Sequence, residues 1–126
     1  MLRFAFILLA IPLAAVSGAG AASHSRSVAC PRGALPLAAN SIAPATRVAL
    51  AREGSTSRPQ VTGASFASTD RGRGGIAKSQ CGKRAWQRTV VVYVDLRAFH
   101  PSTSLSERVS FVSRFAGGYR VWEIVH

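Results

Sequence analysis

The stretch RTVVVYVDLR, residues 88–97, constrains the fold more than any other part of the chain. Every second side chain is apolar, and the alternate positions become polar toward Asp95 and Arg97. The apolar set is Val90, Val92, Val94 and Leu96. A period of two is typical of a β-strand that packs one face against a second layer. The chain is therefore expected to build a sheet and to cover one side of it.

One segment has the pattern of a helix that would cover this face. Residues 42–53, IAPATRVALARE, place small apolar side chains on one side of a helix. Ser41 stands at the N-cap position, and Gly54 follows the last turn. Because the apolar stripe is narrow, this helix needs a sheet to lie on.

The remaining β-rich runs predict a small antiparallel sheet. Residues 61–68 have the composition of a short edge strand, and residues 107–115 and 119–125 read as longer strands. A Gly-Gly pair joins the last two runs, and glycine supplies the positive φ that tight hairpins need. We predict an α+β fold in which one helix packs on about four antiparallel strands ending in a C-terminal β-hairpin.

The amino terminus predicts export. Arg3 precedes a thirteen-residue apolar run, broken only by one proline, and small residues then lead to a cleavage site after Ala22. A bilayer core needs roughly 20 apolar residues, so this run is too short for an anchor. We predict a signal peptide over 1–22, an exposed lead-in over 23–36 and one secreted domain over 37–126, with no transmembrane segment in the mature chain.

Two cysteines, Cys30 and Cys81, remain in the predicted mature chain. In an exported protein they are expected to form one disulfide, since a redox pair usually has C-x-x-C spacing. Closing a loop of this length stabilises the fold by about 4 kcal/mol in the chain-entropy treatment. The three histidines are scattered, so no metal site and no cofactor are predicted.

Charge is the strongest compositional signal. The chain has 16 Lys and Arg against 5 Asp and Glu, and removal of Arg3 with the signal peptide leaves 15 − 5 = +10. Such a field attracts anionic polymers and lipid head groups. A second interpretation stays open, because 14 of the 16 basic residues are Arg, a skew that a GC-rich genome also produces.

Two basic segments are candidate anion contacts. Arg71 and Arg73 lie in RGRGG, within a Gly- and Arg-rich stretch, 69–80, that is predicted to be a mobile loop. Trp86 is flanked by basic side chains that would suit a polyanion, although packing of Trp86 into the core beside the disulfide is the alternative. Those flanking residues are Lys83, Arg84 and Arg88.

A third candidate is a patch on the uncovered side of the sheet. Aromatic rings beside arginines suit planar or anionic groups, and strand alternation would bring several of them together. The patch residues are Tyr93, Arg97, Arg114, Arg120 and Trp122. The alternative is that Trp122 is buried and the arginines are scattered.

No catalytic residue is predicted. Asp95, His100 and Ser102 allow a Ser-His-Asp arrangement on paper, but no Gly-x-Ser-x-Gly elbow is present. Asp95 and Glu123, if on neighbouring strands, would form a carboxylate pair of the kind that glycoside hydrolysis uses. Pairing of each carboxylate with an arginine is the alternative.

The carboxyl-terminal half of the chain resembles small uncharacterised secreted proteins of actinobacteria. The likeness covers roughly residues 76–126, with CGKRAWQRTVVVYVDL followed by SLSERVSFVSRFAGGYRVWEIVH. It implies export and a compact domain, without an activity or cofactor. The run from Gly117 to Val121, Gly-Gly-aromatic-Arg-apolar, also resembles the final hairpin of cystatin- or NTF2-like folds. A single helix argues against a deep NTF2-type pocket.

These observations favour a non-enzymatic binding module for an anionic cell-surface partner, either a polymer or lipid head groups. A small secreted hydrolase using Asp95 or Glu123 is one alternative, and a protein-directed inhibitor or envelope-assembly module is another. A fold of this class does not by itself decide among them.

Overall fold

The computed structural model describes residues 28–103 and 105–126. The predicted signal peptide and residues 23–27 of the lead-in lie outside the described residues. Seven main elements follow in chain order: α1 Ile42–Glu53, β1 Pro59–Phe66, α2 Gly75–Cys81, α3 Lys83–Gln87, β2 Thr89–Leu96, β3 Glu107–Phe115 and β4 Gly118–Val125. Single 3-10 turns at Ala39–Ser41 and Ser55–Ser57 flank α1.

The four strands form one antiparallel sheet in the order β1-β2-β3-β4. The predicted α+β class is therefore confirmed, as are the edge position of β1 and the C-terminal hairpin. The hairpin turns through Gly118, whose φ of 123° only glycine adopts without strain. A bulge in the β3–β4 pairing falls between Phe111 and Val112, where Trp122 is the additional residue of β4.

Helix α1 covers the predicted face of β2. Ala45 and Ala49 are fully buried, and their small side chains let the helix approach the sheet closely. The strand residues beneath them are the four apolar ones that the alternation identified, Val90, Val92, Val94 and Leu96. The helix ends at Gly54, where φ is 73°.

Ser41 occupies the predicted N-cap position but does not cap the helix with its side chain. Its buried hydroxyl accepts hydrogen bonds from the Ala38 amide at 2.9 Å and from the Tyr119 hydroxyl at 3.0 Å. Ser41 therefore ties the start of α1 to β4 and to the segment that precedes the helix.

Two short helices cover part of the sheet face opposite α1. The prediction of a mobile loop over residues 69–80 is therefore wrong for the second half of that range. Residues Gly75–Cys81 form α2, and α3 follows directly. Ala77 of α2 packs with Val91 and Phe111 in a second core cluster, and Ile76 and Trp86 border it. Helices this short are not stable alone, so tertiary contacts and the disulfide hold them. The glycines that precede and begin α2 are typical of a loop, so the sequence did not indicate this helix.

In the part of the chain that the structure describes, no helix is long and apolar enough to cross a bilayer.

Candidate functional site

The segment of residues 30–35 crosses one end of the sheet and is tied down at three points. Cys30 is bonded to Cys81 at the end of α2, which confirms the predicted disulfide. The Leu35 amide donates to the Arg114 carbonyl at 2.7 Å, and Arg88 donates from its guanidinium to the Ala34 carbonyl. The segment therefore lies fixed beside α2 and α3.

Two adjoining cavities border this segment, and we call them together the disulfide groove. The first has a volume of about 550 Å³ and lies between residues 30–35 and the Cys81–Arg88 stretch. The second, of about 300 Å³, shares Cys30, Pro31 and Arg32 with the first and extends to Phe115 and Trp122. The groove is lined by four arginines: Arg32, Arg84, Arg88 and Arg120.

Cationic side chains in and beside the groove are held by aromatic rings. The Arg120 guanidinium lies 4.0 Å from the centroid of the Phe115 ring, and the Lys78 ammonium lies 4.8 Å from that of Trp86. Such contacts restrict long side chains before a ligand arrives, so less rotamer entropy is lost on binding. Trp86 is itself half-buried against the second core cluster, as the packing alternative expected.

The carboxylates of the described residues lie outside the disulfide groove. Glu53 pairs with Arg108 at 3.5 Å, and Glu123 accepts a hydrogen bond from the Ile124 amide at 2.9 Å. Asp70 is hydrogen-bonded within its own loop, and Asp95 stands opposite Glu107 in the β2–β3 register. No Asp or Glu is among the residues that line the groove, so its lining carries a net positive charge.

The loop that carries Arg71 and Arg73 is built around Asp70. The Asp70 carboxylate accepts hydrogen bonds from the amides of Gly72, Arg73 and Gly74 at 3.3, 3.1 and 2.8 Å. It also accepts one from the Tyr93 hydroxyl at 2.7 Å. This set of amides would suit an anion, but Asp70 already fills it. The Arg71 and Arg73 side chains remain exposed beside it.

Asp70 and Tyr93 perturb each other's ionisation. Partial burial opposes the charge on Asp70, but the hydrogen bonds from Tyr93 and the three amides outweigh it and hold the pKa of this carboxyl below its ordinary value of 3.8. Burial and the bond to Asp70 raise the pKa of the Tyr93 hydroxyl above 10.0. Both shifts favour the state in which the Asp70 carboxyl is ionised and the Tyr93 hydroxyl keeps its proton.

We expect Asp70→Asn to lower the free energy of unfolding by about 1–3 kcal/mol at neutral pH, because an amide weakens charge-assisted hydrogen bonds. The folded pKa of Asp70 lies below the unfolded one, so its contribution is complete above the unfolded pKa and is lost as pH falls through the folded pKa. Denaturant titrations of parent and variant should therefore converge in acid.

Tyr93→Phe is the matched control, because it removes one donor and keeps the ring. The raised pKa of Tyr93 makes its contribution complete below the unfolded pKa near 10, and that contribution is lost as pH rises through the folded pKa. The parent and this variant should therefore converge in alkali. A difference between the parent and Asp70→Asn that does not change from neutral to acid pH would contradict the account of Asp70.

The structure does not bring the five residues of the predicted patch together. Arg120 lies opposite Ser113 and, like Tyr93, points to the side of the sheet away from α1. Arg114 is the next residue after Ser113 in β3, so it points to the α1 side. Arg97 follows the far end of β2, roughly 25 Å along the strands from Arg120 at about 3.3 Å per residue. Half-buried Trp122 packs on Phe111, with centroids 5.5 Å apart.

The candidate catalytic groups are also separated. The carboxylate pair of Asp95 and Glu123, which the hydrolase alternative would use, does not form, because β3 lies between their strands and Asp95 stands opposite Glu107 instead. His100 contacts Ser102 at 2.7 Å in an exposed turn, and no hydrogen bond links Asp95 to His100 among the described residues. Over residues 28–103 and 105–126, no group of three His, Cys, Asp or Glu side chains could hold a metal ion.

Part of the disulfide groove was visible in the sequence. Arg84 and Arg88 stood out as basic neighbours of Trp86. Arg32 was missed, since it lies 52 positions before Arg84 in the lead-in. The Cys30–Cys81 bond was the available signal, because it carries residues 30–35 to the start of α3.

Comparison of the chain with protein-family models, with curated proteins and with solved structures finds no match. The likeness to actinobacterial secreted proteins and that to cystatin- or NTF2-like folds therefore stay predictions.

Proposed function

We propose that the protein is an exported, non-enzymatic binding module whose disulfide groove holds the anionic groups of a cell-surface partner. The observation that carries the proposal is the groove lined by four arginines with no carboxylate among its lining residues. A diffuse excess of arginine would leave acidic and basic residues mixed on each surface. Here the basic residues meet in a concave site fixed by a disulfide.

Phosphate is the anionic group that suits these side chains best. The planar guanidinium presents a fork of N–H donors that matches phosphate oxygens in pairs. A phosphate-bearing surface polymer and a phospholipid head group share this chemistry. The two sources differ in that a polymer presents phosphates in a row, whereas head groups lie in a plane.

The hydrolase alternative has less support, because the structure separates the carboxylates that it would use. The protein-directed alternative makes a different prediction, since a hydrophobic interface responds weakly to salt, whereas polyanion contacts weaken steeply as ionic strength rises.

We expect the triple variant Arg32→Ala, Arg84→Ala, Arg120→Ala to bind a phosphodiester polymer about a hundredfold more weakly, at about 1 kcal/mol for each basic residue. The control triple variant, Arg47→Ala, Arg71→Ala, Arg97→Ala, loses the same charge from exposed positions outside the groove. Because long-range attraction is screened, the control should weaken binding by no more than about threefold.

Affinity should be measured by anisotropy with a labelled teichoic-type polymer and by co-sedimentation with phosphatidylglycerol vesicles. Tight binding to the polymer alone would identify a surface polymer as the source of the phosphate, and tight binding to the vesicles alone would identify a phospholipid head group. Equal losses for the two triple variants would show that the charge acts diffusely and would refute the groove. Binding that does not change with salt would favour the protein-directed alternative.

A further inference from the structure

The disulfide itself forms part of the wall of the disulfide groove. Cys30 and Cys81 both line the larger of the two cavities, of about 550 Å³, and each cysteine is half-buried. Neither cysteine belongs to the two core clusters. The bond between them therefore lies at the edge of a solvent-filled space, where a small molecule that enters the groove meets it, and not within the packed interior.

The charge around this bond suits thiol–disulfide exchange. Arg32, Arg84 and Arg88 line the same cavity as the two cysteines, and no Asp or Glu is among its lining residues. The nucleophile in the exchange is a thiolate, and the group that leaves is a second thiolate. Arginines beside the bond attract the incoming anion and stabilise the leaving one. They therefore favour attack by a thiol that carries a further negative charge.

Opening the bond has a local consequence for the groove. Within the described residues, the hydrogen bonds from the backbone of this segment to the rest of the fold begin at Ala34 and Leu35. Arg32 lies between those contacts and Cys30. The disulfide is therefore the covalent tie that holds Arg32 beside α2 and α3, and its opening removes one of the four arginines from the groove.

We propose that the Cys30–Cys81 bond is a modification site for a small anionic thiol, and that its reduction weakens anion binding in the disulfide groove. The weakening rests on the proposed function, whereas the exchange reaction does not. The reaction gives the module a means to release its anionic partner when the surroundings become reducing.

The reaction has two steps. In the first, the thiolate sulfur forms a bond to one cysteine sulfur while the Cys30–Cys81 bond breaks, and the electron pair of the broken bond leaves on the other cysteine as a thiolate. In the second, another thiolate attacks the small-molecule sulfur of the mixed disulfide and releases the first cysteine. Two small thiols are thereby oxidised to one disulfide, and the protein disulfide gains two electrons.

The exchange is tested on the folded, oxidised protein with two thiols of similar size, anionic 2-mercaptoethanesulfonate and neutral 2-mercaptoethanol. Mass spectrometry of quenched samples gives the rate constants, expressed per thiolate, and uncharged 2-hydroxyethyl disulfide is the reference substrate. Relative to that reference, we expect the protein to react at least about tenfold faster with the anionic thiol at low ionic strength. The preference should disappear in about 1 M NaCl, because salt screens the arginines.

The two triple variants show whether the groove causes the preference. The variant Arg32→Ala, Arg84→Ala, Arg120→Ala should lose most of it, and the control variant of exposed arginines outside the groove should keep it. An oxidised parent that reacts equally with both thiols, or a preference that both triple variants share, would refute the modification site whatever the polymer assays show.

The effect on binding is measured as the affinity of the parent for the labelled teichoic-type polymer before and after reduction, with near-ultraviolet circular dichroism to report on the fold. We expect reduction to weaken binding about fivefold, the effect of one arginine, while the fold persists. Unchanged affinity would show that buried Pro31 holds Arg32 in place and would refute the switch, as would global unfolding. Weak binding by the oxidised protein would instead refute the proposed function, and the exchange result would stand.

Discussion

Gly74→Ala is expected to destabilise the fold by about 3 kcal/mol or more. A Cβ at this position would lie 2.2 Å from the Ala67 carbonyl oxygen and 2.9 Å from that of Asp70. Both obstacles are backbone atoms, so no rotamer change relieves them, and the loop that Asp70 organises must move. In a domain of this size the melting temperature should fall by about 10–20 °C.

Gly75→Ala is the matched control one residue further on. Its Cβ would meet nothing within 4 Å, its φ is not positive, and it begins α2. Alanine there should raise the free energy of unfolding by about 0.4–1 kcal/mol, because it restricts the unfolded chain. Equal effects of the two substitutions in thermal melts would show that the Gly74 backbone is not packed as described.

Removal of the disulfide should have the other large effect. We expect Cys30→Ala with Cys81→Ala to lower the free energy of unfolding by about 4 kcal/mol, since the bond closes a long loop in the unfolded chain. A loss of this size is a large share of the stability of a small domain. The same change frees residues 30–35 from α2, so binding at the disulfide groove should weaken as well.

Dithiothreitol supplies the control for this prediction. It should lower the melting temperature of the parent to that of the double variant and leave the double variant unchanged. A double variant that melts within a few degrees of the oxidised parent would show that other contacts, such as the Leu35–Arg114 bridge, fix the segment without the disulfide.

The sequence predicted the fold best where periodicity and turn chemistry agree. The alternation of Val90, Val92, Val94 and Leu96 identified the face under α1, and Gly54 marked the end of that helix. The pair Gly117-Gly118 located the hairpin. Each of these signals is local, so a single sequence is enough to find it.

Helices α2 and α3 could not be predicted, because their causes are not local. Neither is long enough to form alone, and α2 begins within a run of glycines and arginines. Their stability comes from packing on Phe111 and Val91 and from the Cys81 bond. The predicted aromatic and arginine patch failed for the same reason, because it assumed that no helix covers the second face of the sheet.

The disulfide groove likewise combines a local sequence signal with a long-range contact. Basic residues near Trp86 were visible as a cluster, but their meeting with Arg32 depends on the long-range disulfide. No spacing of residues along the sequence indicates such a site.

A residue-resolved NMR titration with a short phosphodiester polymer tests whether anionic groups bind in the disulfide groove. The predicted result is a set of amide shifts confined to residues 30–35, the Cys81–Arg88 stretch, Phe115 and Arg120, reversed by salt. Shifts centred on Arg71 and Arg73, or spread evenly over all exposed arginines, would contradict it.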